Sequence, residues 1–85
     1  MKHAGREALG ALGGLLAEIR RRSGLAERSP GVFYRKGRAF LHFHEDPSGL
    51  HADIRPGDAW ERFRVETKAE RQALLTRLGE ALSDR

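Results

Sequence analysis

The chain predicts an α+β domain: a two-layer sandwich in the order helix, four-stranded antiparallel meander, helix, with both helices on one face of the sheet. Three observations carry this. Leucines recur at helical spacing near both ends, apolar and polar residues alternate with a period of two between Val32 and Val65, and glycine- and proline-bearing turns cut that middle region into short strands.

Leu9, Leu12, Leu16 and Ile19, with Leu15 beside them, give an amphipathic helix from about Ala4 to Arg22 that Ser23-Gly24 stops. Gly10, Gly13 and Gly14 each lower its intrinsic helicity by about 1 kcal/mol relative to alanine, so packing against the sheet must hold it. Leu25 to Arg28 adds one further turn, and Ser29-Pro30-Gly31 leads into the first strand. The strand pair Val32 to Lys36 and Ala39 to His44 closes on Gly37-Arg38, with glycine first as a type II′ turn prefers. A turn-rich segment, Glu45 to Leu50, leads to the third strand, and Pro56-Gly57-Asp58-Ala59 leads to the fourth. Thr67 and Glu70 form a capping box ahead of Leu74, Leu75, Leu78, Ala81 and Leu82, the most clearly signalled element.

Registering the strands sorts the side chains into two faces. Val32, Tyr34, Leu41, Phe43, Ala52, Ile54, Phe63 and Val65 fall on the core side. The opposite face collects three cross-strand rows: Arg35-Phe40-Arg55-Trp60, Phe33-His42-Asp53-Arg62, and His44-His51-Arg64. Solvent-facing strands normally alternate charge with Thr or Ser, so this mixture of aromatics, histidines and arginines is the distinctive surface of the chain.

The 85 residues suit one domain, 1–85, with residues 1–3 as a disordered tail. The absence of cysteine excludes disulfides, thiolate metal sites and thiol nucleophiles. Gly10, Gly13, Gly14 and Glu18 break the leucines before signal or membrane length, so a cytoplasmic protein with no membrane partner is expected. The net charge of +4 is uneven: up to His44, nine Lys or Arg against three Glu give +6, and from Glu45 onward seven against nine acids give −2. Thirteen arginines against three lysines suit phosphate binding, but equally genome composition or heat adaptation. Arg20-Arg21-Arg22 complements the helix dipole as a solvated end, with phosphate contact the lesser use.

Two imidazoles at His42 and His44, with His51 and Asp53 arriving from the neighbouring strand, would supply a nitrogen and oxygen donor set for a metal. Against this, Arg62 stands opposite Asp53 as its ion partner, so no metal or other cofactor is assigned. No nucleophile, glycine-rich phosphate loop or second carboxylate pair accompanies the histidines, and catalysis is not expected. Three large aromatics on an uncovered face leave an apolar patch that a second copy would bury, with aromatic plus Arg the composition of interface cores. The same residues suit nucleic acid: Arg35, Arg55, Arg62 and Arg64 would meet phosphates while Phe40 and Trp60 stack on bases.

Lys36-Gly37-Arg38-Ala39-Phe40-Leu41-His42-Phe43, with Leu41 standing for valine, resembles the aromatic octamer of RNA-recognition motifs except at its third position, where Arg38 replaces a stacking aromatic. That family places a strand and a helix before this hairpin, whereas here a helix comes first. Lys36-Gly37-Arg38-Ala39-Phe40 is also similar to the turn-and-strand segment of small bacterial MmcQ/YjbR proteins, and Trp60 lies before the last helix as their tryptophan does. Gly57-Asp58-Ala59 stands where those proteins carry an Asn-Lys pair. The resemblance spans roughly residues 30 to 82, implies a frataxin-like helix-sheet-helix architecture, and by analogy favours DNA binding. Frataxin's iron role depends on an acidic first helix, and Arg6, Arg20, Arg21 and Arg22 make this one basic.

The expectation is a non-enzymatic binding domain that dimerises through Phe33, Arg35, Phe40, Arg55, Trp60, Arg62 and Arg64. Nucleic-acid binding by that face is the alternative, and a metal at His42, His44, His51 and Asp53 is the lesser one.

Overall fold

The computed structural model describes residues 2–83. It is α+β, with strands β1 (Lys2–His3), β2 (Ala26–Ser29), β3 (Val32–Arg35), β4 (Arg38–Asp46), β5 (Gly49–Ile54) and β6 (Glu61–Arg64). The helices are α1 (Arg6–Ala11), α2 (Gly13–Arg20) and α3 (Lys68–Ser83). The sheet is antiparallel in the order β2-β3-β4-β5-β6, one strand more than the sequence implies, and β1 adds to β4 beyond the end of β3. Lys2 and His3, expected as a disordered tail, pair with Glu45 and His44, whereas Met1 lies outside the described residues.

The expected first helix is two helices that meet at Leu12, whose φ of −97° and ψ of 12° lie outside helical values. The Leu12 amide tightens onto the Leu9 carbonyl at 3.1 Å, and the Leu16 amide restarts the ladder on Leu12 at 2.8 Å. Gly13 and Gly14 follow the break, as their low helix propensity allows, and Leu12, Leu15, Leu16 and Ile19 are all buried. Leu25 to Arg28 is no helical turn. Ala26–Ser29 is an exposed edge strand, irregular between Glu27 and Ser29 and laced with charge, features that discourage pairing with another chain. Pro30 and Gly31 turn it into β3, with Gly31 at φ +76° and an added Cβ only 2.8 Å from Leu9 Cδ2.

The β3–β4 turn departs from expectation in a way that moves side chains across the sheet. Arg35 pairs with Arg38, so the loop is Lys36-Gly37, at φ 53° and 79°, a type I′ turn with glycine second. Tyr34 pairs with Ala39 but Phe33 with Leu41, leaving Phe40 as a bulge residue. Phe33 is therefore in register with Leu41 and is 1% exposed, while Phe40 is 4% exposed. Both belong to the core and not to the polar face.

From β4 onward the registers are the expected ones: His42 with Asp53, His44 with His51, Asp53 with Arg62 and His51 with Arg64. Pro47-Ser48 closes the β4–β5 hairpin, steadied by Asp46 Oδ1 accepting from the Ser48 amide and hydroxyl at 2.9 and 2.6 Å. Thr67 and Glu70 form the capping box, with the Glu70 amide donating to Thr67 Oγ1 at 3.1 Å and the Thr67 amide to Glu70 Oε1 at 3.0 Å. Leu74, Leu78 and Ala81 of α3 join Leu12, Leu15, Leu16, Ile19, Phe33, Phe40, Leu41, Phe43, Ala52, Ile54 and Val65 in one buried cluster. Each large side chain there contributes about 1.5–3 kcal/mol by leaving water. Arg77 ties α3 to β6 through both Glu61 carboxylate oxygens at 2.9 and 3.0 Å, and Arg35 donates to the Ala81 carbonyl at 2.9 Å. Among the described residues, no helix is long and apolar enough to cross a membrane.

Candidate functional site

Strand alternation along β4 sends Leu41 and Phe43 into the core and places His42 and His44 on the other face. Asp53 arrives opposite His42 on β5, and Arg62 opposite Asp53 on β6. His44 and Asp53 are buried, whereas Trp60, Arg62 and Arg64 are exposed.

Asp53 is the hub. Arg62 grips it with two hydrogen bonds, Nε to Oδ1 at 2.8 Å and the terminal nitrogen to Oδ2 at 3.0 Å, and His44 Nε2 lies 2.6 Å from Oδ2. Burial pushes the Asp53 carboxyl up, but the hydrogen bonds from Arg62 and His44 and their charges together outweigh it and hold it below its ordinary value. One donor atom from each of His42, His44 and Asp53 lies within 4.8 Å of the others. His51, the remaining metal candidate, stands apart from that set, its Nδ1 3.8 Å from Asp46 Oδ1.

Rings continue the row outward. The His42 ring meets the His44 ring edge-to-face at 4.4 Å and the Trp60 ring at 4.7 Å. The Arg55 guanidinium lies over the Trp60 ring at 4.6 Å and donates twice to the Ala39 carbonyl, at 3.1 and 2.6 Å.

At that end of the sheet the β3–β4 turn and the β5–β6 connection enclose a cleft of about 270 Å³, lined by Arg35, Lys36, Arg38, Ala39, Phe40, Arg55, Pro56, Gly57 and Asp58. Four cations face one carboxylate there. Asp58 stands 4.0 Å from Arg38 and is fully exposed, so it neutralises little of that charge. The sequence reading missed Lys36 and Arg38 as site residues. Their signal was the run Arg35 to Arg38 at one turn, facing Arg55 at the next.

The expected face thus divides. His42, His44, His51, Asp53, Arg62 and Arg64 are placed as the register implied, with Arg64 3.3 Å from Glu70 Oε2, and Arg55 and Trp60, just beyond the paired residues, still meet. Phe33 and Phe40 are in the core, and Arg35 turns to the carboxyl end of α3, its guanidinium 5.7 Å from the Phe40 ring. Trp60, 40% exposed, is the large apolar side chain left in water among the described residues. Arg20 and Arg21 at the end of α2 are engaged by Glu27 and Glu18, in keeping with a solvated helix end.

Fold and site define a small α+β domain with a histidine- and arginine-bearing sheet face and a basic cleft at one end of it. Comparison with protein-family models, curated proteins and solved structures finds no match.

Proposed function

We propose that this domain is a non-enzymatic binding module for single-stranded nucleic acid, with the basic cleft as the backbone contact and Trp60 as a stacking platform. The observation that carries it is the cleft itself, whose lining includes Arg35, Lys36, Arg38 and Arg55 against the single carboxylate of Asp58. Phosphates attract such a cluster, and guanidinium groups meet them with paired donors. Trp60 is held in place by Arg55 and His42 yet is 40% exposed, so part of its indole is ordered and open to a base. The helices, on this view, cover the Leu41 and Phe43 side and leave the His42 side to partners. Self-association through that face loses much of its support once Phe33 and Phe40 are inside the core. Arg62 and Arg64, engaged by Asp53 and Glu70, contribute less to phosphate binding than the cleft does.

The test is anisotropy of labelled oligothymidylate and oligouridylate, read alongside the emission of Trp60, the chain's single tryptophan. Binding should quench Trp60 and weaken with salt at a slope of about −0.7 per neutralised phosphate, so roughly −2 to −3 for three or four contacts. Lys36→Glu and Arg38→Glu should each lower affinity roughly tenfold, the equivalent of about 1.4 kcal/mol. Absence of binding at low salt, or binding indifferent to both reversals, overturns the proposal.

A further inference from the structure

We infer that His42, His44 and Asp53 form a binding site for one divalent transition-metal ion of the zinc or cobalt type. Three donors from two directly paired strands lie within 4.8 Å of one another. An ion bound at about 2.0–2.2 Å from each would need donors roughly 3.0–3.5 Å apart, so side-chain rotations that change donor separations by no more than about 1–2 Å complete the set. The strand register does the positioning. His42 and His44 are two residues apart on β4 and Asp53 lies directly opposite His42, so sheet hydrogen bonds fix all three attachment points.

The donor types select the metal. Two imidazoles and one carboxylate suit zinc, cobalt and ferrous ions over calcium or magnesium, which take oxygen donors. The side chains of His44 and Asp53 are each 10% exposed, so the ion would replace the hydrogen bond between His44 Nε2 and Asp53 Oδ2 in a site already drawn from water. Coordination there takes His44 in the tautomer whose Nε2 carries no proton. Arg62, half exposed, can keep Oδ1 and release Oδ2, orienting the carboxylate as an outer-shell partner does. Its positive charge opposes the ion, so affinity will be moderate. Three protein donors leave a coordination position for water or a partner's oxygen.

Trp60 makes the site directly observable, because its ring lies 4.7 Å from that of His42. Tag-free protein without nucleic acid is titrated with Co²⁺, reading visible absorption and Trp60 emission, then with Zn²⁺. Co²⁺ should give ligand-field bands and quench Trp60 with one ion per chain, and Zn²⁺, which does not quench, should displace it and restore emission. His42→Gln and Asp53→Asn, checked for native circular dichroism, should each weaken binding by at least about tenfold, since even outer-shell losses cost 10- to 100-fold. His51→Gln, on the same face but outside the set, should bind as wild type. No bands and no quenching by millimolar Co²⁺ in the wild type overturns the assignment. So does equal loss in His51→Gln, which would place the ion elsewhere.

Discussion

The two halves of the sheet are specified by different means. From β4 to β6 each strand has one apolar and one polar side, as in Leu41, Phe43, Ala52, Ile54 and Phe63 against His42, His44, Asp53, Arg62 and Arg64. A slip of one residue there would drive Asp53 and Arg62 into the core, at a cost of several kcal/mol per buried charge. The register is accordingly the one that alternation dictates. In β3 the run Val32-Phe33-Tyr34 is apolar on both sides, so a slip exchanges one large side chain for another at little cost. Local turn chemistry then decides, and Lys36-Gly37 selects the type I′ closure with its bulge at Phe40. Alternation fixes register only where the two faces differ in chemistry.

The largest test of this contrast compares one aromatic from each half. Phe33→Ala should cost about 3–5 kcal/mol in urea unfolding, because Phe33 is 1% exposed within the cluster. Trp60→Ala should cost about 1 kcal/mol, because Trp60 is 40% exposed and loses chiefly its contacts with Arg55 and His42. Equal and small losses would return Phe33 to the polar face and remove the bulge.

Glycines on the β3 side sharpen the same point at a smaller scale. Gly37→Ala places a Cβ at φ +79° in open space and should cost about 1–2 kcal/mol from backbone conformation alone. Gly31→Ala at φ +76° should cost more, because its Cβ would also stand 2.8 Å from Leu9 Cδ2 and push on the α1 packing. Thermal melts of the two variants check the order. A reversal would mean that Leu9 yields freely.

Much of this was legible in the residues. The capping box at Thr67 and Glu70, the antiparallel sheet, and the Asp53–Arg62 and Arg55–Trp60 pairings follow from local patterns and alternating faces. The break at Leu12 was not, because leucine spacing continues through it and the glycines at 10, 13 and 14 lower helicity without marking where the helix divides. Strand β2 was missed because an exposed edge strand with charges at Glu27 and Arg28 has no apolar alternation to read. The basic cleft escaped because it exists only once two turns, distant in sequence, are brought to one end of the sheet. The burial of Phe40 depends on a bulge, which inserts one residue without a composition signal.

The smallest effect separates the two halves electrostatically. Glu27 joins β2 to the end of α2, accepting from Arg20 at 2.7 and 2.8 Å and from the Gly31 amide at 3.0 Å. The Arg20 hydrogen bonds hold its carboxyl below the ordinary glutamate value, against the opposing pull of burial. On the other half, Arg77 does the same for Glu61. A depressed carboxyl stabilises the fold fully above its unfolded value near about 4.3, and that contribution is lost as pH falls through the lower folded value. Arg20→Gln should therefore cost under about 1 kcal/mol at pH 7, as exposed pairs do, and the gap from wild type should close in acid once Glu27 is protonated. Arg77→Gln should show the same closing gap on the side where α3 meets β6. A cost for Arg20→Gln that stays constant with pH would mean that the Arg20 stem holds β2 by packing, leaving this edge of the sheet with no charge-based anchor to α2.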